Sequence, residues 1–457
     1  MFCEENAMHG TILANAPQMV WGLDAKIVAA AIVIIAYTIL FTEKLNRAVV
    51  ALLGASVMIF AGILTQQQAF LGIDFNTLSL LIGMMMIVGI CEKTGIFQFV
   101  AIWAAKKVHA NPRGILVVLA VVTALFSAFL DNVTTVLLIV PVTFQITKKL
   151  GVPVYPYLLV EIFASNIGGT ATLIGDPPNI LIGSALNLSF MDFLKELTPI
   201  VILCMLLVVA IFDFFFGRRL VSTAQRRNKI MLLRESESIK DHALLVKSMT
   251  VLALVIGGFI AAEHFHIANG TIAMAGAATL LLLYTLGNKH DEREHKVEQI
   301  FSVVDWTTIF FFAGLFVIVH GLEVTGVLSL LGHKFVTLTE GSVSKASLLI
   351  VWVSALVSGA IDNIPFVATM IPMLKSMEEA LGGREAMMPV WWALSIGACF
   401  GGNATLIGAS ANVIVAGMAA RQGQPISFLG FMKWSVPVML LTVAVATVFI
   451  YIQYFVI

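Results

Sequence analysis

The chain has 457 residues, of which 59% are hydrophobic and 12% are charged. Soluble proteins carry about 25% charged residues, so the composition argues against a soluble protein and favours a membrane protein. The 27 basic and 27 acidic residues balance, which gives no indication of nucleic acid as a partner. Four cysteines without CxxC or Cys/His spacing argue against a disulfide framework and against a metal site.

Apolar runs long enough, or nearly long enough, to cross a bilayer recur along the whole chain. The stretch 1–24 lacks a basic region and a cleavage site, so we expect no removable signal peptide and a first span within 26–41. The runs of the first half are 26–41, 47–64, 75–91, 114–130, 133–147, 156–184 and 197–216. Those of the second half are 248–264, 271–287, 306–322, 343–361, 364–376, 388–416 and 434–456.

Two pairs of runs, 114–130/133–147 and 343–361/364–376, predict re-entrant hairpins. Each pair is joined only by a dipeptide, Asp131-Asn132 or Asp362-Asn363. A carboxylate without a loop around it is a poor crossing point, whereas two half-depth arms that meet at a polar tip fit this pattern. Such a hairpin is tolerated only where protein or a water-filled cavity surrounds it.

The distribution of positive charge predicts the orientation. With the N-terminus outside, all but six of the 27 Lys and Arg residues fall on the inner side, as the positive-inside rule requires. We therefore predict an all-α, multi-pass protein of the inner (plasma) membrane, with ten spans, two re-entrant hairpins and both termini outside. The segment 217–247 is predicted to be a polar cytoplasmic linker between the halves.

An internal repeat relates the two halves. The motif Glu92-x-Thr94-Gly95 and the dipeptide Asp131-Asn132 recur at one common offset, as Glu323-x-Thr325-Gly326 and Asp362-Asn363. At nearly the same offset, the segment 168–175 matches 401–408 at seven of eight positions. Because each copy has five predicted spans, an odd number, the second copy must enter the membrane from the opposite side. Inverted repeats of this kind are typical of secondary transporters.

Three aspartates are candidates for proton or ion coupling: Asp131 and Asp362 at the hairpin tips, and Asp176 in the first glycine-rich break. An ionised carboxylate deep in a membrane costs about 2.5–3.5 kcal/mol on insertion scales, and protonation removes this cost. The alternative is that they only cap helices. Glu161, Glu92 and Glu323 are weaker candidates.

The breaks at 168–179 and 401–412 supply the candidate substrate-binding groups. Glycine and proline do not sustain a helix, so each span should unwind there and expose backbone carbonyls and helix N-termini. The break glycines are Gly168, Gly169, Gly175, Gly401, Gly402 and Gly408. The polar neutral candidates at breaks and tips are Asn132, Thr134, Thr172, Asn179, Asn363, Asn403, Thr405 and Asn412. Capping of broken helices is the alternative role. Cys399 is either a packed thiol or a ligand for a soft metalloid.

Four segments together resemble the ArsB/NhaD branch of the ion transporter superfamily, and most closely its P-protein-like members. They are SAFLDNVTT (127–135), IGDPPN (174–179), IDNIPF (361–366) and GGNATLIGASAN (401–412). The resemblance implies an elevator-type carrier with a scaffold domain and a moving transport domain. It also implies a homodimer and a cytoplasmic ATPase as partners.

Because the repeated motifs cluster in two blocks, we assign 75–184 and 306–416 to the transport domain. Residues 1–74, 185–216, 248–305 and 417–457 are assigned to the N-terminal tail and the scaffold, and 217–247 to the linker.

The preferred functional hypothesis is a proton-coupled antiporter that exports arsenite or antimonite. Arsenite is mostly an uncharged trihydroxide at neutral pH, and no Arg or Lys lies in any motif. The alternatives are a sodium/proton antiporter, an organic-anion (citrate or dicarboxylate) transporter and an anion channel. An enzyme is not expected, because no Ser/His, GxGD or HExxH pairing lies on facing spans. We predict no cofactor beyond the coupling proton or sodium ion, and a small inorganic solute and the bilayer as partners.

Overall fold

The computed structural model describes residues 19–42, 44–287 and 289–456, and most of them are helical. The prediction that the N-terminus is on the outer side of the membrane concerns residues 1–18, which are not among the described residues. Among those described, ten α-helices precede the linker: α1 (Ala25–Phe41), α2 (Arg47–Phe60), α3 (Gln66–Leu71), α4 (Phe75–Thr94), α5 (Ile96–Lys107), α6 (Pro112–Phe129), α7 (Asn132–Leu150), α8 (Tyr155–Gly169), α9 (Pro177–Leu186) and α10 (Phe190–Phe215).

The linker contains α11 (Ala224–Met231) and two short 3₁₀ turns, Gly217–Arg219 and Glu235–Ser238. It ends where α12 begins, so the polar segment is 217–241 and the predicted boundary at 247 falls inside α12. The helices that follow in the described part of the chain are α12 (His242–Phe265), α13 (Asn269–Thr285), α14 (His290–Phe301), α15 (Trp306–Val324), α16 (Val327–Leu338), α17 (Val343–Ala360), α18 (Asn363–Lys375), α19 (Met388–Gly401), α20 (Ser410–Arg421) and α21 (Phe428–Phe455).

A small β-hairpin before α1 is the one departure from the all-α prediction within the described residues. Strands β1 (Met19–Val20) and β2 (Leu23–Asp24) pair antiparallel across a tight turn. Trp21 and Gly22 in this turn both have positive φ, as in the type I′ turns that are typical of two-residue hairpin loops.

Eight helices of the described residues are long and apolar enough to cross a bilayer, so the chain is a multi-pass membrane protein. They are α4, α6, α7, α10 with the turn that follows it, α12, α15, α17 and α21. Five of the ten predicted spans are in this group. The other five correspond to the shorter helices α1, α2 and α13 and to the two broken helices α8/α9 and α19/α20.

Both predicted hairpins form, with sharp turns between α6 and α7 and between α17 and α18. The turns consist of Leu130-Asp131 and Ile361-Asp362. At 1.5 Å per residue, the 18 and 19 residues of α6 and α7 reach about 27–29 Å, close to the thickness of a hydrocarbon core. These arms are longer than half-depth arms require, so the prediction of re-entry depends on where the tips lie.

The helices of the two halves repeat in order and in spacing. The starts of α4, α6 and α7 precede the starts of α15, α17 and α18 by one common offset. Packing is exchanged between the halves as well: α4 packs against α13, and its counterpart α15 packs against α2. Likewise α9 packs against α18, and α20 against α7. The two halves are therefore related by an approximate two-fold exchange of contacts.

Glycines bring α4 close to α13 and α15 close to α2. A Cβ atom on Gly83 would lie 2.6 Å from the Ala273 carbonyl carbon, and one on Gly314 would lie 2.6 Å from the Ala51 carbonyl carbon. Small residues at such crossings are the usual way that membrane helices pack closely.

We expect Gly314→Leu to destabilise the fold by about 1–3 kcal/mol, because the new side chain must push α15 away from α2. The measurement is the melting temperature of the purified protein in detergent. Gly257→Leu is the matched control, since Gly257 is an exposed helical glycine at which an added Cβ atom would meet no other atom within 4 Å. An unchanged melting temperature for Gly314→Leu would show that the α2–α15 contact is not close.

Candidate functional site

A cavity of about 240 Å³ lies where the tips of the two hairpins meet. Both tips, the first break, and the N-terminal ends of α2, α15 and α20 contribute to its wall. Its polar lining consists of Arg47, Glu92, Asp131, Asn132, Thr134, Asp176, Asp305, Thr308, Asn363 and Ser410. Four carboxylates and one guanidinium of the described residues therefore surround a space large enough for a small solute.

At the first hairpin tip, the hydrogen bonds to the Asp131 carboxylate come from a residue of the same tip. Asp131 occupies the N-cap position of α7, where it accepts hydrogen bonds from the Thr134 backbone N–H at 2.9 Å and from the Thr134 hydroxyl at 2.5 Å. The capping role that the sequence left open is thus real, and the same carboxylate also faces the cavity.

The second tip is built differently because Pro365 replaces Thr134 at the equivalent position. Asp362 caps α18 only weakly, with 3.4 Å to the Ile364 N–H. Its carboxylate instead lies 3.3 Å from the Arg47 guanidinium and 3.4 Å from the Ser410 hydroxyl. The loss of the local threonine directs this aspartate toward a helix of the other half.

Arg47 meets the second tip, although the sequence did not predict it as a site residue. Its guanidinium donates to the Thr308 hydroxyl at 2.6 Å and to the Ser410 hydroxyl at 3.0 Å, and lies 3.6 Å from an Asp305 oxygen. It also lies 5.5 Å from the centre of the Phe311 ring. These contacts hold the positive charge between the tip cavity and a second, larger cavity.

That larger cavity, of about 350 Å³, is mostly apolar and is lined by Arg47, Asp362 and Ser410 at one end. By its position in the sequence, Arg47 belongs to the charges of a predicted inner loop. One feature of the sequence could have indicated that Arg47 belongs to the membrane helix and not to the loop. Arg47 is the first residue of an apolar helix and directly follows the capping residue Asn46.

Asp176 is the least satisfied of the three predicted coupling aspartates. It stands at the N-cap position of α9, yet its side chain forms no capping hydrogen bond. One oxygen accepts from the Asn363 amide at 3.3 Å, and the other has no hydrogen-bond partner among the described residues. The side chain is fully buried. Asp176 therefore borders the tip cavity without capping α9 through its side chain.

Asn166, which was not predicted from the sequence, joins the two breaks. Its amide nitrogen donates to the side-chain oxygens of Asn403 and Asn412 of the other half, each at 3.0 Å. Its oxygen accepts from Asn132 of the first tip at 3.3 Å. A fully buried amide thus connects one hairpin tip with both sides of the opposite break.

Four of the predicted substrate-binding residues hold the breaks together and do not line the cavity. Asn179 donates to the Thr172 carbonyl at 2.8 Å, and its repeat counterpart Asn412 donates to the Thr405 carbonyl at the same distance. The Thr172 and Thr405 hydroxyls in turn donate to carbonyls of α6 and α17. Of the remaining predicted residues, Asn132, Thr134 and Asn363 line the cavity, and Asn403 is buried beside Asn166.

The predicted break glycines act through close packing of the backbone. Both spans are interrupted at the predicted breaks, between Gly169 and Pro177 and between Gly401 and Ser410. None of the break glycines has a positive φ, so a left-handed backbone is not the reason for glycine here. A Cβ atom on Gly168 would lie 2.5 Å from the Ala124 Cα atom, and one on Gly401 would overlap the Ala355 carbonyl oxygen. Within each break, Gly169 approaches Gly175, and Gly402 approaches Gly408. The glycines let each broken helix lie directly against its hairpin arm.

The weaker acidic candidates lie in three different places. Glu92 lines the cavity. Glu323 lies 3.1 Å from His320 beside a separate cavity of about 540 Å³. Glu161 is buried between α7 and α8, where Thr143 donates to it at 2.5 Å. Cys399 is a fully buried thiol 3.8 Å from the Asn179 side-chain oxygen.

Comparison with known proteins identifies the family. The CitMHS family model, described as a citrate transporter, matches residues 37–397. The chain belongs to the CitMHS citrate transporter family. An uncharacterized transporter of Mycobacterium tuberculosis (strain ATCC 25618 / H37Rv) is 42% identical over 435 residues, which cover 94% of this chain and 99% of that protein.

Two further comparisons place this CitMHS family member. The P protein of Mus musculus is 32% identical over 515 residues, covering 94% of this chain and 61% of that protein, which bears out the predicted likeness to P-protein members. The crystal structure of the Alcanivorax borkumensis YdaH transporter covers 91% of this chain and 98% of that one, with a TM-score of 0.61 at 16% identity, and shows a shared fold. None of these relatives supports the arsenite hypothesis.

We expect Asn166→Ala to impair folding, because it leaves the oxygens of Asn403 and Asn412 and the amide of Asn132 without their partner. Each buried unpaired group costs about 1–3 kcal/mol. The yield of monodisperse protein and its melting temperature report the effect. The control is Thr279→Ala, which removes an exposed hydroxyl that bonds only to its own helix. Equal stability of the two variants would contradict the assigned role of Asn166.

Proposed function

We propose that this protein is a proton-coupled secondary transporter of small carboxylate-bearing anions in the plasma membrane, in which Arg47 binds the substrate. The observation that carries the proposal is the position of Arg47 at the second hairpin tip, 3.3 Å from Asp362 and open to two cavities. A guanidinium matches the geometry of a carboxylate in a paired, two-bond contact. The family description, citrate transporter, points to the same substrate class.

The charge around the tip cavity sets the condition for binding. Two unit charges 4 Å apart interact by about 4 kcal/mol at an effective dielectric constant of about 20. With one cation and four carboxylates of the described residues in the wall, an anion is repelled while the carboxylates are ionised. Protons must therefore neutralise part of the wall before the substrate binds.

Asp362 couples proton binding to substrate binding, because its carboxylate is paired with the Arg47 guanidinium that the substrate must contact. Protonation of Asp362 weakens its contact with Arg47 and leaves the guanidinium to the substrate carboxylate. The free oxygen of Asp176 is a second proton acceptor beside the tip cavity. Proton and anion thus load together and move in one direction, which makes the protein a symporter.

The arsenite hypothesis loses its main support. It depended on neutral donors and acceptors around a site without cations. Four of those groups donate to backbone carbonyls at the breaks and hairpin arms, and a fixed guanidinium stands at the tip.

We further propose that the repeats are inverted and that the hairpins and breaks move as one body. Both halves interlock there, through Asn166 with Asn403 and through Asn363 with Asp176. The helices α4 and α15 pack closely against α13 and α2, so they belong with the scaffold. In this proposal the moving body begins after α4 in the first half and after α15 in the second half. The assignment made from the sequence began it one helix earlier in each half, at residues 75 and 306.

A second candidate function, sodium/proton exchange, is favoured by one observation. The four carboxylates of the tip cavity outnumber its single guanidinium among the described residues, and the hydroxyls of Thr308 and Ser410 lie nearby. Hard cations accept such oxygen ligands. Under this alternative, the positive charge of Arg47 would serve only to lower the affinity of the site for the cation.

We predict that Asp362→Asn uncouples transport from the proton gradient, because the amide can neither bind nor release a proton. In proteoliposomes, the variant should exchange labelled citrate across the membrane but no longer accumulate it when the outside is acidified. Accumulation at the level of the unmodified protein would remove Asp362 from the coupling step.

Arg47→Gln should lower the affinity for citrate by about tenfold or more, since a charge-assisted contact is lost. The measurement is the concentration dependence of citrate uptake in the same proteoliposomes. Arg113→Gln is the control, because Arg113 forms its ion pair with Asp213 away from the cavity. If both variants bind citrate equally well, Arg47 does not contact the substrate.

The same proteoliposomes decide the substrate class when citrate, succinate, sodium and arsenite are compared side by side. Saturable uptake of a carboxylate that is stimulated by an inward proton gradient supports the proposal. Sodium-dependent proton release without carboxylate uptake would favour the exchanger. Arsenite flux alone would restore the original hypothesis.

A further inference from the structure

The linker, 217–241, is docked onto the helices of the first half and is not a free loop. The Ser222 hydroxyl donates to the Leu150 carbonyl at 2.7 Å, at the end of α7. The Arg227 guanidinium donates to the His109 carbonyl at 2.9 Å, beyond the end of α5. The helix α11 packs on both α5 and α7, and the second 3₁₀ turn packs on α5.

A glycine of the repeated Glu-x-Thr-Gly motif forms one of the docking points. Gly95 has a φ of 83°, and a Cβ atom there would overlap the Ser238 carbonyl oxygen. The neighbouring Thr94 carbonyl accepts from the Lys240 N–H at 3.0 Å. In the second copy of the motif, Gly326 has no backbone of the described residues this close to it. The first copy is therefore used to seat the linker.

Docking of the linker forms an open cavity of about 240 Å³ against α5 and α7, at which Lys149 and Lys240 remain exposed to solvent. Its wall is formed by three separate segments of chain, and most of its polar groups are cations or amides that donate hydrogen bonds. The charged and amide residues are Gln98 of α5, Gln145 and Lys149 of α7, and Arg234, Glu237 and Lys240 of the linker.

The charges in this wall are not balanced. Arg234 and Glu237 lie 3.3 Å apart and compensate each other. No carboxylate of the described residues lies within 4.0 Å of the Lys149 or Lys240 ammonium group. Two positive charges therefore face the cavity without a partner in the described part of the chain.

The other acidic residue of the turn, Glu235, is already engaged. Lys106 lies 2.5 Å from its carboxylate and donates to the Leu233 carbonyl as well. The hydrogen bond from Lys106 holds the pKa of Glu235 below its usual range. At neutral pH this carboxylate is ionised and committed to Lys106, so it does not neutralise the two lysines of the cavity.

We propose that this cavity binds a phosphate-bearing anion that fastens the linker to α5 and α7. Inorganic phosphate and phosphate monoesters carry a charge of about −1.5 to −2 near neutral pH, a phosphodiester headgroup is also anionic, and all have several acceptor oxygens. The ammonium groups of Lys149 and Lys240 match its charge. The side-chain amides of Gln98 and Gln145, which form no hydrogen bond with the described residues, match its acceptors. Lysines serve as point charges for phosphate in other proteins.

The donors come from α5, α7 and the linker, so a bound anion holds three segments together. Its source is either a free phosphate compound or an anionic lipid headgroup, since basic groups next to membrane helices attract both. Binding should slow the opening of the linker, and this is measured without any transport assay.

The experiment uses hydrogen–deuterium exchange of residues 232–241 in the full-length protein in lipid-free detergent. Inorganic phosphate, compared with chloride at equal ionic strength, should slow exchange in this segment by about tenfold at saturation. In Lys149→Gln/Lys240→Gln the concentration of phosphate needed should rise at least about tenfold. The control is Lys229→Gln, which removes an exposed linker charge outside the cavity.

A second arm separates the two sources. The protein is placed in nanodiscs of phosphatidylcholine, with or without phosphatidylglycerol. Protection by phosphate in detergent assigns a soluble anion, and protection only with phosphatidylglycerol assigns a lipid headgroup. The proposal is overturned if neither protects the segment, or if the double variant and Lys229→Gln respond like the unmodified protein.

Discussion

The ion pair between Arg47 and Asp362 joins α2, which packs against α15, to the tip of the second hairpin. Carboxylates inside a membrane protein must be protonated, hydrogen-bonded or paired with a cation, because an isolated charge there is costly. Three aspartates of this site use three different solutions. Asp131 is satisfied by Thr134, Asp362 is paired with Arg47, and Asp176 keeps one oxygen unpaired among the described residues. A solute or proton that changes the state of Asp362 therefore changes the contact between α2 and the tip of the second hairpin.

The two halves of the internal repeat share some residues of the candidate site and differ in others. Some repeated residues form the same bond twice, as Asn179 and Asn412 do with the carbonyls of their own breaks. The repeated pair Asp131 and Asp362 instead has different partners, Thr134 and Arg47. Where the halves differ, the chemistry differs: Asp176 has Ala409 as its counterpart, and Thr134 has Pro365. Three carboxylates of the tip cavity, Glu92, Asp131 and Asp305, have acidic counterparts in the other half, whereas Asp176 has none.

The sequence was sufficient for the helices, the hairpins, the breaks and the candidate coupling aspartates, because each has a local signature in hydropathy, proline and glycine. It was insufficient for Arg47, whose role arises from the packing of α2 against α15 and from the absence of a threonine at position 365. It also did not distinguish asparagines that bond to the carbonyls of a break from those that line the tip cavity. An amide in either role looks the same until the nearest carbonyls are known, as Asn179 and Asn363 illustrate.

The sign of coupling follows from the charge of the substrate. If the solute is an anion that needs Arg47, then Asp362 competes with it, and a proton that removes the competitor favours binding. Proton and solute then cross together. If the solute were a cation bound by Asp362 and Asp176, the proton would be its competitor, and the two would cross in opposite directions. The same carboxylates thus support symport or antiport, and the guanidinium beside them is the feature that favours symport.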